Sequence, residues 1–252
     1  MHGAQFGGVL SNLVIRAMNK CVHFVQVQTS HACALCGARS VGEVLCPSCH
    51  ADLPRLPAAH CPCCAIPAAA VCAHCQRHPP AFKQTSAAFL YAYPLDGLIQ
   101  QFKYGKALHL APFFANALTP CIKDSTATAL IPMPLHPKRL AERGFNQAVE
   151  IARPLARQRG IPLLIDAAQR TRHTPSQAGL THADRLTNLE DAFTCDARVA
   201  GHHIALLDDV MTTGASLNTL AKAVIAAGAV SVEAWVVART PALTTGPTRL
   251  NT

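Results

Sequence analysis

No stretch of this sequence stays apolar for the roughly 20 residues that a membrane-spanning helix requires, which argues against an integral helical membrane protein. The N-terminus is also a poor export signal. In MHGAQFGGVLSNLVIRAMNKCVHFV, Arg16 and Lys20 interrupt the apolar segment, and no small-residue cleavage site follows it. Charge is scarce as well, at 14% of residues against 50% hydrophobic ones, which excludes an intrinsically disordered chain. Chemistry-bearing signatures are missing too. No G-x-x-x-x-G-K-[ST] run is present, which excludes a Walker-type nucleoside triphosphatase. The thirteen histidines form neither an HExxH pair nor a His-Asp-Ser arrangement.

Acids are few, 14 against 22 Lys and Arg, for a net charge of +8. The excess gathers between Lys138 and Arg185, where Lys138, Arg139, Arg143, Arg153, Arg157, Arg159, Arg170, Arg172 and Arg185 face only Glu142, Glu150, Asp166 and Asp184. Such a segment suits an anionic partner, although Arg153, Arg157 and Arg159 read more simply as a solvated helix face. A length of 252 residues holds a full core and a small second unit. Within residues 1–30, Leu10, Leu13, Val14, Ala17, Met18, Cys21 and Val22 recur at helical spacing. They predict a short amphipathic helix packed on the body, with peripheral membrane contact as the alternative.

Cysteine is the abundant exception. Twelve residues include four CxxC pairs: Cys33 with Cys36, Cys46 with Cys49, Cys61 with Cys64, and Cys72 with Cys75. Two intervening residues let a tight knuckle turn its amides toward the thiolates, and two facing knuckles make a tetrahedral Zn²⁺ site. Residues 31–80 therefore predict two structural zinc ions. Spacing leaves open whether the pairs combine sequentially or interleave, and whether Cys63 substitutes for a neighbour. Cys21, Cys121 and Cys195 read as buried apolar residues. His60, His74 and His78 read as bystanders.

From Ala87 apolar segments alternate with helical ones. Strands are expected at AAFLYAY, ATALIP, IPLLI, HIALL and VSVEAWVVA; helices at Leu95 to Lys103, Leu108 to Leu118, Arg139 to Arg159 and Ser216 to Ala227. This alternation predicts an α/β domain over 85–240, with a parallel sheet and flanking helices. A loose tail is expected over 241–252.

HIALLDDVMTTGAS ends one of these strands with Asp208 and Asp209. Ligands of open parallel sheets gather at the carboxyl ends of strands, and the following TTGAS leads into a helix whose N-terminus favours anions. Thr212, Thr213 and Ser216 add hydroxyls, and Gly214 permits a close turn. The pattern fits a phosphate site beside two carboxylates. Phe102 and Tyr104 read as residues packed on the sheet, with nucleobase stacking as the alternative.

This run resembles the signature of phosphoribosyltransferases. Together with the zinc knuckles, YPLDGLIQQFKYGK, IPMPLHPKRLAERGFNQA and RTRHTPSQAGLTHADRLTNLEDAF, it resembles the ComF (ComFC-like) family over about residues 31–240. The resemblance implies a phosphoribosyltransferase-like sheet domain behind an N-terminal double zinc ribbon, in the bacterial cytoplasm. It implies that Asp208 and Asp209 bind the ribose hydroxyls of phosphoribosyl pyrophosphate. The loop of Val210, Met211, Thr212, Thr213, Gly214, Ala215 and Ser216 would hold the 5′-phosphate. Pro134, Leu135 and His136 would form the pyrophosphate loop, with Lys138, Arg139 and Arg143 beside it and Mg²⁺ bound with the substrate. RTRHTPSQAGL would close over the site, with Arg170 and Arg172 as its working charges. Asn146 and Gln147 belong to the family motif, and their spacing does not reveal a role. Three functions follow: a phosphoribosyltransferase tied to DNA uptake or nucleotide use, a single-stranded-DNA-binding accessory protein working with the DNA-uptake machinery, and a non-catalytic phosphoribosyl-pyrophosphate sensor.

Overall fold

The computed structural model describes residues 30–170 and 192–241. The expected N-terminal helix, Arg172, Arg185, most of the expected closing loop and nearly all of the tail lie outside the described residues. The chain divides into two compact units between Leu53 and Pro54.

The first unit carries a small antiparallel ribbon, β1 (Ser30–Ala32) with β2 (Arg39–Val41), followed by the short helix α1 (Pro47–Ala51). Ser40 is buried and its hydroxyl donates to the carbonyls of Glu43 and Leu45, which holds the turn between the two knuckles.

The second unit begins with the remaining knuckles and helix α2 (Ala73–Arg77), then enters the sheet. Strands β3 (Thr85–Leu90), β4 (Ala129–Pro132), β7 (His203–Met211) and β8 (Ser231–Arg239) form one four-stranded sheet in the order β3-β8-β7-β4. Every neighbouring pair is parallel. The central strands β7 and β8 are almost wholly buried, as expected where both faces of a sheet are covered. Helices α3 (Leu95–Tyr104), α4 (Leu110–Leu118), α6 (Gln147–Arg159) and α7 (Ala215–Ala226) each bury an apolar stripe. This is the α/β architecture expected from the sequence.

Three local expectations are corrected. The helix expected from Arg139 to Arg159 is two helices, α5 (Pro137–Arg143) and α6. Gly144 adopts φ +82°, a left-handed conformation that ends α5, and Asn146 then caps α6 by accepting from the Ala148 amide at 2.9 Å. IPLLI is no sheet strand; it touches β4 at the single bridge Leu130–Leu163, since Pro162 lacks the N–H a ladder needs. Cys121 is exposed rather than buried, because in the 3-10 turn Thr119–Ile122 the core position goes to Ile122.

β5 (Ala168–Arg170) pairs antiparallel with β6 (Phe193–Cys195), so Arg170 stands opposite Phe193. The pairing brings together the two ends of the segment that contains the expected closing loop.

Candidate functional site

The four knuckles combine in sequence. Cys33, Cys36, Cys46 and Cys49 form one group in the first unit, and Cys61, Cys64, Cys72 and Cys75 a second in the other unit, each with its sulfurs within 4.8 Å of one another. The Sγ–Sγ separations of 3.7 Å for Cys36–Cys46 and 3.6 Å for Cys64–Cys72 match the edge of about 3.8 Å that a tetrahedron with Zn–S of about 2.3 Å requires. They far exceed a disulfide of about 2.05 Å. Burial pushes the Cys33 thiol up, but amides of Cys36, Cys46 and Leu35 bring it down to about 6. Cys61 is likewise brought to about 6, against its burial, by amides of Cys72, Cys64 and Cys63. Thiolates held by amides are the donors zinc takes. Both groups therefore fit Zn²⁺.

Cys63 stands outside the second group, and its carbonyl accepts from Thr85 Oγ1 at 2.6 Å. Neither group includes His60, His74 or His78 among the described residues.

The acid pair lies within the last residues of β7, at the carboxyl end of the sheet. The strand runs beyond the expected HIALL through both acids to Met211 because β8 pairs with it that far. Alternation sends the two carboxylates to different surroundings. Asp209 is 3% exposed and forms an ion pair with Lys103 at the end of α3. Gln147 Nε2 also donates to Asp209 Oδ1 at 3.4 Å, and Gln147 accepts in turn from Arg143. Asp208 is half-buried and accepts the Asp209 amide at 2.8 Å. Desolvation pushes its carboxyl well above the usual carboxylate range, and the neighbouring Asp209 adds to the rise. Burial alone would lower the Lys103 ammonium, yet the charge and hydrogen bond of Asp209 raise it, so this lysine stays charged.

Gly214 takes φ +82° as the first residue of the turn into α7, and a Cβ there would sit 2.5 Å from Met211 Cε. The left-handed backbone favours glycine here, while the terminal methyl of Met211 could shift to admit a Cβ. Thr212 and Thr213 are exposed, and Thr213 Oγ1 accepts the Ala215 amide at 3.3 Å. Ala215 and Ser216 open α7, an ordered helix N-terminus beside the acids.

Across from this loop, Met133 N donates to Leu207 O at 2.7 Å, which docks the segment after β4 against β7. Asn146 Nδ2 donates to Met133 O at 3.0 Å and thereby fixes the same segment to α6. Pro134 is buried, Leu135 is half-buried, and the half-buried His136 caps α5 by accepting the Lys138 amide at 3.2 Å. Lys138 is exposed; Arg139 and Arg143 are half-buried. Burial lowers the Arg170 guanidinium, the charge of Arg139 lowers it further, and Asp208 opposes both. Arg139, Arg170 and Asp208 are thus electrostatic neighbours. Arg170 also lies 5.5 Å over the Phe193 ring.

Sequence reasoning did not single out Lys103 as a charge partner of Asp209, nor Arg239, which contacts the loop after β7. It left the role of Asn146 and Gln147 open, and the structure supplies it as a cap and a carboxylate donor. Of the two aromatic candidates, Phe102 is core, edge-on to Phe114 and tilted against Phe145, whereas Tyr104 is 72% exposed with Arg143 5.2 Å above its ring. Among the described residues no helix is long and apolar enough to cross a membrane.

Comparison with models of known families gives no match. Curated relatives are clear. The DNA utilization protein YhgH of Shigella flexneri is 31% identical over 216 residues, 82% of this chain and 90% of that protein. Competence protein F of Haemophilus influenzae is 33% identical over 178 residues, 67% of this chain and 78% of the relative. Competence protein ComFC of Bacillus subtilis is 29% identical over 210 residues, covering 78% and 85%. Among solved structures, the purine phosphoribosyltransferase of Pyrococcus horikoshii aligns with a TM-score of 0.33 at 16% identity, over 52% of this chain and 84% of that one. The adenine phosphoribosyltransferase of Thermoanaerobacter pseudethanolicus aligns at 0.36 and 15%, over 56% and 74%. With relatives of this identity covered over most of their length, the chain belongs to the ComF family.

Proposed function

We propose that this protein binds phosphoribosyl pyrophosphate with Mg²⁺ and transfers its phosphoribosyl group to a nucleophilic acceptor. The observation that carries the reading is the meeting, at the carboxyl end of one parallel sheet, of two carboxylates, a helix-opening loop and the cations Lys103, Arg139, Arg143 and Arg170. In this reading Asp208 and Asp209 accept from the ribose hydroxyls. The loop 210–216 and the first turn of α7 receive the 5′-phosphate. Pro134 to His136, with Lys138, Arg139 and Arg143, would receive the pyrophosphate end, and Arg170, an electrostatic neighbour of Arg139 and Asp208, would add its charge there. As the bond from C1 to pyrophosphate breaks, positive charge on the ring lies near carboxylates and negative charge on the leaving group lies near arginines. Mg²⁺ carried with the pyrophosphate would neutralise that leaving group further. Zinc in both cysteine groups belongs to the same reading, as a structural metal without an open coordination position.

Calorimetric titration with phosphoribosyl pyrophosphate is expected to give saturable one-site binding that requires Mg²⁺. Pyrophosphate release should then appear when bases or oligonucleotides are supplied as acceptors. Binding without release against any acceptor would reduce the protein to a sensor, and absence of binding would end the reading.

A DNA-binding role is favoured by one observation: the relatives are named for competence and DNA utilization. If the segment from Lys138 to Arg185 contacts some five phosphates of a single strand, log affinity should fall with log salt at a slope of about −3.5. A flat dependence in a fluorescence-anisotropy series would remove that role.

A further inference from the structure

Arg239 closes β8 and is only 3% exposed. Among the described residues no carboxylate lies within ion-pair distance of it. A buried guanidinium without a counter-charge is costly, so the position needs a reason. Its hydrogen bonds supply one. Nε donates to Cys64 O at 2.6 Å, while Nη1 donates to Met211 O at 3.1 Å, to Thr212 O, and to Thr240 O at 2.8 Å. One rigid planar group therefore spans a knuckle of the second cysteine group and the first residues of the loop that opens α7. Four thiolates holding Zn²⁺ would keep a net charge of about −2. Cys64, Cys75 and Cys72 stand close enough for their charge to act on Arg239, so the loaded group would supply the counter-charge the carboxylates do not.

Two further ties run the same way. Thr85 takes the Pro62 carbonyl at 2.9 Å through its amide and the Cys63 carbonyl through its hydroxyl, and the Ala81 amide donates to Asn218 Oδ1 on α7 at 2.7 Å. The knuckle is thus fastened to β3 and to the end of β8, and the segment that follows the cysteine group is fastened to the helix behind the loop.

We propose that Arg239 is a positioning residue through which the second cysteine group, when it holds its metal, sets the geometry of the loop from Met211 to Ser216. Zinc in this group then does more than stabilise a ribbon; its loss loosens the loop at the acid pair. Calling that loop a phosphate site rests on the proposed function, but the coupling does not.

The test uses full-length Arg239→Gln and Arg239→Lys. Glutamine lacks the charge, and lysine keeps it on a single nitrogen that cannot span Cys64 and Thr212. Transfer of zinc to a chromogenic chelator should show one of two equivalents held about 10- to 100-fold more weakly in both variants, as for an outer-shell partner of a metal site. Hydrogen exchange should show lost protection at the Asn218 amide, which donates to Gly214 O at 2.9 Å, and at the Thr240 amide, which donates to Met211 O at 3.0 Å. The amides of residues 204–207 inside the sheet should stay protected. A second measurement leaves Arg239 intact: a Cys36→Ser protein, which lacks a complete first group, is stripped of its remaining zinc, and the same two amides should lose protection while those of residues 204–207 keep it. Unchanged zinc affinity in both variants, or unchanged exchange at Asn218 and Thr240 after stripping, overturns the proposal. Failure of the wild type to bind phosphoribosyl pyrophosphate would strike the ligand reading alone, because zinc transfer and exchange judge Arg239 without it.

Discussion

Replacing Asp208 and Asp209 together by Asn is expected to weaken binding of phosphoribosyl pyrophosphate by about a hundredfold or more. Each hydrogen bond from a hydroxyl to a charged acceptor contributes roughly 1.5–3 kcal/mol, and each 1.4 kcal/mol is a factor of about ten in affinity. The single replacements should differ, because the two carboxylates stand in different surroundings. Asp209→Asn leaves the half-buried Lys103 without its ion-pair partner, so it should lower stability as well as affinity. Asp208→Asn should lower affinity and raise the stability of the free protein. Calorimetry and thermal melting on the three variants check this. Wild-type affinity in the double variant, at equal zinc content, would remove the acid pair from the ribose site.

The pH dependence of the Asp208 effect has a definite sign. Burial raises this carboxyl in the folded protein above its ordinary value near about 4. In the window between the ordinary and the raised value the folded state therefore binds more protons than the unfolded state, and stability falls as pH rises through it. The Asn variant lacks that fall. Its melting temperature should match the wild type below about pH 4 and exceed it increasingly above. A constant difference across the whole range would assign the gain to packing instead of charge.

Much of this site could be read along the chain because its parts are neighbours in sequence. Asp208, Asp209, Gly214 and the start of α7 lie within one strand-loop-helix unit, where an apolar run, two acids and a glycine each announce their local conformation. The cysteine knuckles are local in the same sense, but the grouping of four knuckles into two sites is not; it needs the ribbon of the first unit and the packing of the second. Lys103 was hidden for a similar reason. A lysine in the last turn of a helix is expected to face solvent and favour the dipole, and its pairing with a carboxylate more than a hundred residues later has no local signal. Arg239 ends an apolar strand, where the acceptors that make it tolerable come from Cys64 and Met211. Gly144 misled the reading in the other direction: helical spacing continued on both sides of it, and only its left-handed backbone separates α5 from α6.

The two cysteine groups should also differ sharply when each is broken. Cys64 and Cys61 are buried in a hydrophobic core shared with Phe82, Ala87, Met211 and Leu217, within the same compact unit as the sheet. Cys36 is exposed and lies in the other unit. Binding of structural zinc is worth about 10 kcal/mol or more in small zinc domains, and a whole domain is stable by only about 5–15 kcal/mol. Removing one thiolate of the second group therefore takes a large fraction of the stability of the sheet unit itself. Cys64→Ser is expected to lower its melting temperature by about 10 °C or more, since each 1 kcal/mol shifts a unit of this size by about 2–4 °C. Cys36→Ser should lose one equivalent of zinc and leave that transition where it was, because the core of the sheet contains none of the first group's cysteines. Differential scanning calorimetry with metal analysis on the two variants separates the cases. Equal shifts in both, or a sheet transition insensitive to Cys64→Ser, would mean that the second metal site is an appendage of the sheet and not part of its core.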